Sequence, residues 1–150
     1  MKILVCNVGS TSLKYQVFEM PGERPLAHGG MERIGSHTAH FRHRAASKPE
    51  VSDAEPLLDQ RAAIQRMISL LCDARVGALA DLRELNGIGF KVVGGRGMTG
   101  ATLLDDQVLA AMDEYVPLLP AHNPPYIAAV RLFRDLLPGV PLVGLCETAF

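Results

Sequence analysis

The pattern of apolar residues changes along this chain, and that change restricts the fold more than any other feature. The opening quarter alternates short apolar stretches with turns, whereas later apolar residues recur at helical spacing. The pattern predicts a meander of three to four strands, then a helix, a strand, two helices and a last strand. Because strands that alternate with helices pair in parallel, we expect a layered α/β sheet.

Four segments separated by turns predict the meander. The strands Lys2–Asn7 and Leu13–Glu19 flank a polar turn at residues 9–12, and Leu26–Ile34 and Thr38–Arg44 are weaker candidates. Two later apolar runs, which predict the remaining strands, are Ile88–Val93 and Pro141–Cys146.

Each predicted helix is preceded by a residue that can cap a helix start. The candidates are Ser52, which has capping-box spacing to Glu55 before Pro56, then Asp105, and then Asn123, which Pro124 follows.

Composition excludes several classes of protein. With 48% hydrophobic residues and a mean hydropathy of +0.14, the chain can form a core, and no apolar run reaches the ~20 residues that span a bilayer. The net charge of −1 gives no basic face for nucleic acid. One local basic patch is interpreted as a solvated hairpin or loop; it consists of His37, His40, Arg42, His43, Arg44 and Lys48.

The three cysteines have neither disulfide nor zinc-site spacing. Cys6 and Cys146 lie in apolar runs, where a free cysteine acts as a small buried hydrophobe. The sequence therefore predicts a reduced, cytoplasmic protein.

The first candidate site is the polar turn between the first two strands. Asn7, Ser10, Ser12 and Lys14 surround Gly9, so the turn offers backbone N–H groups, hydroxyls and one cation to phosphate oxygens. An ordinary hairpin turn has the same residue types, and that alternative stays open.

Three other segments could carry chemistry. Lys91 precedes a glycine-rich stretch, His122 precedes a predicted helix, and Glu147 follows the last predicted strand. A connecting loop with solvated cations, a structural histidine and a frayed chain end are the respective alternatives.

Together, these segments resemble the acetokinase (acetate kinase) family. Asn7-x-Gly-Ser-Thr-Ser-Leu-Lys14 is similar to its N-terminal signature, and Lys91-Val92-Val93-Gly94-Gly95 to its His-Arg-Val-Val-His-Gly-Gly segment. Pro120-x-His122-Asn123-Pro124 and Glu147-Thr148-Ala149-Phe150 resemble its Pro-Leu-His-Asn-Pro and Asp-Thr-Ala-Phe segments.

The resemblance implies an RNase H-like domain of the actin-like, sugar-kinase-like ATPase fold, with a mixed sheet and flanking helices. It also implies phosphoryl transfer from ATP, with Mg²⁺, to a short-chain carboxylic acid. Residues 1–150 would be an incomplete N-terminal acetokinase-like domain that lacks the second domain, and a homodimer stays open as an assembly.

The resemblance also implies residue roles. Asn7, Ser10, Ser12 and Lys14 would bind ATP phosphates, with Asn7 also a metal ligand. The implied catalytic residues are Lys91, His122 and Glu147, and the implied acid-binding residues are Lys91, Val93 and Ala121.

Lys91 and Glu147 stand where the family has arginine and aspartate. A lysine lacks the planar fork of arginine, and glutamate is one methylene longer than aspartate. A second hypothesis therefore stays open: a degenerate, non-catalytic member that binds nucleotide or a protein partner.

Overall fold

A computed structural model describes residues 1–92, 94, 98–121 and 123–146. In this part of the chain, eight strands form one mixed sheet in the order β5-β4-β3-β2-β1-β6-β8-β7. The strands are β1 (Lys2–Val8), β2 (Ser12–Glu19), β3 (Arg24–Glu32), β4 (Ser36–Ala45), β5 (Val51–Leu57), β6 (Leu85–Val92), β7 (Ala101–Leu103) and β8 (Leu142–Cys146). The helices are α1 (Gln60–Leu71), α2 (Asp106–Glu114) and α3 (Asn123–Leu136), with a short 3-10 helix at Leu82–Glu84.

The predicted meander is present, but it has five antiparallel strands where three to four were predicted. Alternate residues of β1 and β2 are buried, including Leu4, Cys6, Leu13 and Val17, as expected for strands with one face on a core. The mixed sheet with flanking helices agrees with the predicted α/β class.

The predicted start of the first helix at Ser52 was wrong, because Val51–Leu57 forms the edge strand β5. Pairing with β4 satisfies the backbone groups on one side of β5, and an edge strand tolerates Pro56. Glu55 does not complete a capping box; it forms an ion pair with Arg66 at 2.6 Å. Asp59 caps α1 instead, accepting a hydrogen bond from the amide of Ala62 at 2.7 Å.

The second half of the chain adds the parallel strands. β6 pairs in parallel with both β1 and β8, so the carboxyl ends of all three strands meet at one edge of the sheet. The predicted strand at residues 88–93 is confirmed over its described residues and begins earlier, at Leu85. The three-residue strand β7 was not predicted, and it lies antiparallel to β8.

The later helices pack above these strands. Asp105 caps α2 as predicted, accepting from the amide of Val108 at 2.9 Å. α3 begins at Asn123, one residue earlier than predicted, and the Asn123 side chain makes contacts outside its own helix. Phe133 of α3 contacts the ring of Phe90 edge-on, with centroids 5.8 Å apart, which fixes α3 over β6. None of the helices in the described part of the chain has the length and apolar character to cross a membrane.

One histidine of the basic patch is not solvated, which corrects the interpretation of that patch. β4 alternates, so His40, Arg42 and Arg44 are exposed while His43 is fully buried. The Nε2–H of His43 donates to the Val76 carbonyl at 3.0 Å, and its Nδ1 accepts from the Tyr15 hydroxyl at 2.9 Å. Neutral His43 therefore has both ring nitrogens paired.

We expect the stability of the protein to fall as the pH drops below about 6.5, through His43. Burial lowers the pKa of His43 from its ordinary value of 6.5, so the unfolded chain takes up this proton first. The contribution is complete above the unfolded pKa and is lost as the pH falls toward the folded one, by at most about 1.4 kcal/mol per pH unit. Urea unfolding between pH 7.5 and 5.5 measures it. His43→Gln should flatten this dependence and the exposed His37→Gln should not; an unchanged slope in His43→Gln would contradict the assignment.

Candidate functional site

The candidate site lies where β1, β6 and β8 end together. In open α/β sheets, ligands bind at the carboxyl ends of the strands. Asn7 pairs in register with Lys91 of β6 on one side and with Lys14 of β2 on the other. Residues in register on neighbouring strands project from the same face, so Lys91, Asn7 and Lys14 form a cross-strand row, and all three are exposed. An amide between two cations suits an anionic, oxygen-rich ligand.

The turn at residues 9–12, here called the hydroxyl turn, follows directly after this row. The amide of Gly9 donates to the Ser12 carbonyl at 2.8 Å, which closes the turn. A Cβ atom at residue 9 would lie 2.6 Å from Ser12 Oγ, so a larger residue there would displace the Ser12 hydroxyl from its present position. Ser10 is exposed and Ser12 half-buried, so the predicted phosphate contacts border open solvent.

Gln60, the first residue of α1, forms hydrogen bonds to the backbone of the hydroxyl turn. Its Nε2 donates to the carbonyl of Gly9 at 2.6 Å and to that of Ser12 at 3.3 Å. Sequence reasoning missed this residue, because a polar side chain at a helix start is ordinary and the two partners are about fifty residues away.

Gln60→Ala should loosen the hydroxyl turn and lower the free energy of unfolding by about 1 kcal/mol, since two part-buried hydrogen bonds to backbone carbonyls are lost. Hydrogen exchange of the amides of residues 9–12 should accelerate, and urea unfolding gives the stability change. Gln65→Ala, an exposed glutamine on the same helix, is the matched control. Equal exchange rates in both variants would show that Gln60 does not brace the turn.

Asn123 of α3 connects the segment after β6 to α2 through side-chain hydrogen bonds. Its Nδ2 donates to the Gly94 carbonyl at 3.1 Å and to the Met112 carbonyl at 3.0 Å, and the residue is fully buried. Three chain segments, those after Lys91, at the end of α2 and at the start of α3, therefore meet at one amide. The exposed Ala121 lies in the turn two residues before it.

Tyr126 connects α3 to the cross-strand row. Its hydroxyl donates to Oδ1 of Asn7 at 3.0 Å, and its side chain is buried. Sequence reasoning interpreted the apolar positions of α3 as core and gave no signal for this contact.

The structure thus brings together Asn7, Lys14 and Lys91 beside Ser10 and Ser12. Three predicted site residues lie outside the described residues: Val93, His122 and Glu147. Within the described ranges, no group of three or more His, Cys, Asp or Glu side chains is placed to hold a metal ion.

The face that carries Lys14 continues into a shallow concavity of about 730 Å³. Its floor is Gly30, which lies in register between Lys14 and Arg42. Glu32 and Asp53 also line it, so the mixed charges give this concavity no preference for an anion. The lining of the concavity therefore gives no reason to move the predicted phosphate contacts there from the hydroxyl turn.

Cysteine chemistry is not part of the site. Cys6 is fully buried, and burial raises the pKa of its thiol far above the ordinary value. Cys146 is buried too, as predicted for both residues.

Comparison with known proteins identifies the family of this chain. The acetokinase family model matches residues 2–150. Acetate kinases from Natranaerobius thermophilus and Thermotoga maritima are 42% and 40% identical over the whole chain, which spans 38% and 37% of their lengths.

The solved structures show the same fold. A Porphyromonas gingivalis acetate kinase superposes with a TM-score of 0.91 at 32% identity, covering 99% of this chain and 38% of that one. A Francisella tularensis propionate kinase gives 0.85 at 23% identity, covering 99% and 37%, and supports the fold alone. A family model that matches nearly every residue, on a fold shared with solved relatives, establishes that this chain belongs to the acetokinase family.

Proposed function

We propose that this chain is the N-terminal part of a kinase that transfers the γ-phosphoryl group of ATP to a short-chain carboxylic acid and so forms an acyl phosphate. The observation that carries the proposal is the cross-strand row, in which two lysines flank Asn7 beside the hydroxyl turn, in a chain of this family. The identity of about 40% to acetate kinases supports the same reaction class.

Ser10, Ser12 and Lys14 would hold the phosphates of ATP. Gly9 supports this fit, because its lack of a side chain leaves room for the close approach of Ser12 Oγ. Lys14 adds a compact cation at the end of the turn, which is suited to a polyphosphate.

Asn7 would be a ligand of Mg²⁺. Its Oδ1 is a neutral oxygen donor of the kind that Mg²⁺ accepts, and this ion usually takes few protein ligands besides substrate phosphates. When bound, Mg²⁺ neutralises part of the charge on the phosphate oxygens.

Lys91, His122 and Glu147 would act on the transferring group. Lys91 would offset the charge that develops on the phosphoryl oxygens, with His122 as a second stabilising group. Glu147 would take the role of the family aspartate. Lys91, Val93 and Ala121 would border the acid.

The remaining partner is the part of the relatives that this chain does not span, about three fifths of their length. We assign the second wall of the cleft to it. The proposal also includes assembly of the protein as a homodimer and its location in the cytoplasm.

Calorimetry with Mg-ATP on the intact protein tests the phosphate assignment. Lys14→Ala and Ser12→Ala should each weaken binding by about tenfold, because each removes a hydrogen bond to a charged group, of about 1.5–3 kcal/mol. Arg44→Ala removes an exposed cation from another register position of the sheet and is the matched control. Unchanged affinity in the first two variants would refute the assignment.

Lys91 favours a second candidate function, binding without turnover. A lysine cannot form the two parallel hydrogen bonds with which the arginine of the family pattern can bind a carboxylate. A degenerate member would bind Mg-ATP or a protein partner yet form no acyl phosphate. Calorimetry together with an acyl phosphate assay on the intact protein distinguishes the two functions.

A further inference from the structure

Tyr126 places a buried hydroxyl against an exposed site residue. The tyrosine residue is 4% exposed, whereas Asn7 is exposed near the end of β1. The hydroxyl donates to Asn7 Oδ1 at 3.0 Å, across 119 residues of sequence. A rigid donor therefore holds an amide that would otherwise rotate in solvent.

The position of that hydroxyl is determined by the packing of α3. Asn123, three residues earlier, bonds to the carbonyls of Gly94 and Met112 and so fixes the start of the helix. Ile127 and Val130 are buried against the core. Since a tyrosine has only two side-chain torsions, the buried ring leaves its hydroxyl little freedom.

We infer that Tyr126 is a positioning residue for Asn7, an inference that rests on the proposed role of Asn7 as a ligand of Mg-ATP. The hydrogen bond fixes the plane of the Asn7 amide. It leaves the second lone pair of Oδ1 and both Nδ2 hydrogens for the bound ligand. Pre-orienting the amide reduces the entropy that binding must otherwise remove, and outer-shell partners of this kind commonly change metal affinity by about 10- to 100-fold.

Tyr126→Phe tests the inference in the intact protein, with Mg-ATP as the probe. Calorimetry should show an affinity about tenfold lower than that of the wild type. Tyr15→Phe is the matched control, since it removes another buried tyrosine hydroxyl with a bond of 2.9 Å to His43. Both variants should lose a similar amount of thermal stability, but Tyr15→Phe should bind Mg-ATP like the wild type.

Asn7→Ala and the double variant show whether Tyr126 acts through Asn7. If it does, Tyr126→Phe should cause no further loss of affinity once Asn7 is alanine. The NMR signals of the Asn7 side-chain amide should also shift and become more mobile in Tyr126→Phe and stay unchanged in Tyr15→Phe. A structural role alone would not produce this pattern.

The other outcomes distinguish a failure of the inference about Tyr126 from a failure of the proposed role of Asn7. If Asn7→Ala weakens binding and Tyr126→Phe does not, the inference fails and the proposed function stands. Losses that add in the double variant likewise show that Tyr126 acts independently, which overturns the inference. If Asn7→Ala binds Mg-ATP like the wild type, the proposed role of Asn7 fails, and the inference fails with it.

Discussion

No acyl phosphate above background is expected when residues 1–150 alone are supplied with ATP, Mg²⁺ and acetate or propionate. Phosphoryl transfer depends on holding two reactants in line, with reacting atoms about 3–3.5 Å apart. The described residues offer one edge of a sheet, and the chain spans 38% of its relatives. A misplacement of about 1 Å can cost about 100-fold, so a site with contacts on one side only should fall below detection.

A hydroxamate assay for acyl phosphate measures this expectation, with the intact protein as the positive reference. Clear turnover by residues 1–150 that is lost in Lys91→Ala would overturn the argument for a second wall. Lys48→Ala removes a half-buried lysine on the loop after β4, whose Nζ donates to the Ala74 carbonyl, and controls for a general effect of removing a cation.

In the intact protein, propionate, butyrate or a larger acid should be preferred over acetate, by about 10- to 200-fold in kcat/KM. The resemblance places a leucine of the acid pocket at the position of Ala121, and replacing leucine by alanine removes three heavy atoms from that wall. Each additional buried methylene of the substrate contributes roughly 0.8 kcal/mol. In the structure, Ala121 is exposed in the turn before α3, two residues from the amide that binds Gly94.

Steady-state kinetics across a series of acids measures the preference. Ala121→Leu should restore preference for acetate, while Ala128→Leu, on the exposed side of α3, should leave it unchanged. An acetate kcat/KM equal to or above those for propionate and butyrate would contradict the prediction that Ala121 leaves space for a longer acid.

The sequence patterns predicted those parts of the fold that depend on residues close together in the chain. The meander, the Asp105 cap and the glycine of the hydroxyl turn each follow from neighbouring residues, and the structure has all three. At Ser52 and Glu55 the local pattern favoured a helix, but pairing with β4 determined a strand. Capping-box spacing over four residues is a weak preference that tertiary pairing readily overrides.

The contacts of Gln60 and Tyr126 with the candidate site could not be predicted in the same way. The donor of Gln60 lies 51 residues from Gly9 in sequence, and that of Tyr126 lies 119 residues from Asn7. Neither contact leaves a periodic or spacing signal, because each depends on how a helix packs on the sheet. The residues proposed to face the ligand were predicted from their chemistry, whereas the contacts of Gln60 and Tyr126 with them were found only from the fold.

The edge strand β5 also bears on how the protein behaves when it is concentrated. An unpaired edge normally offers a row of donors and acceptors to which another chain can add a strand, which is a route to aggregation. Here Pro56 has no N–H, and the amide of Ala54 donates to the carboxylate of its own neighbour, Asp53, at 2.8 Å. An incoming strand would also have to desolvate the exposed Asp53 charge. Residues 53, 54 and 56, in the segment where the sequence favoured a helix, therefore protect the β5 edge of the sheet from pairing with another chain.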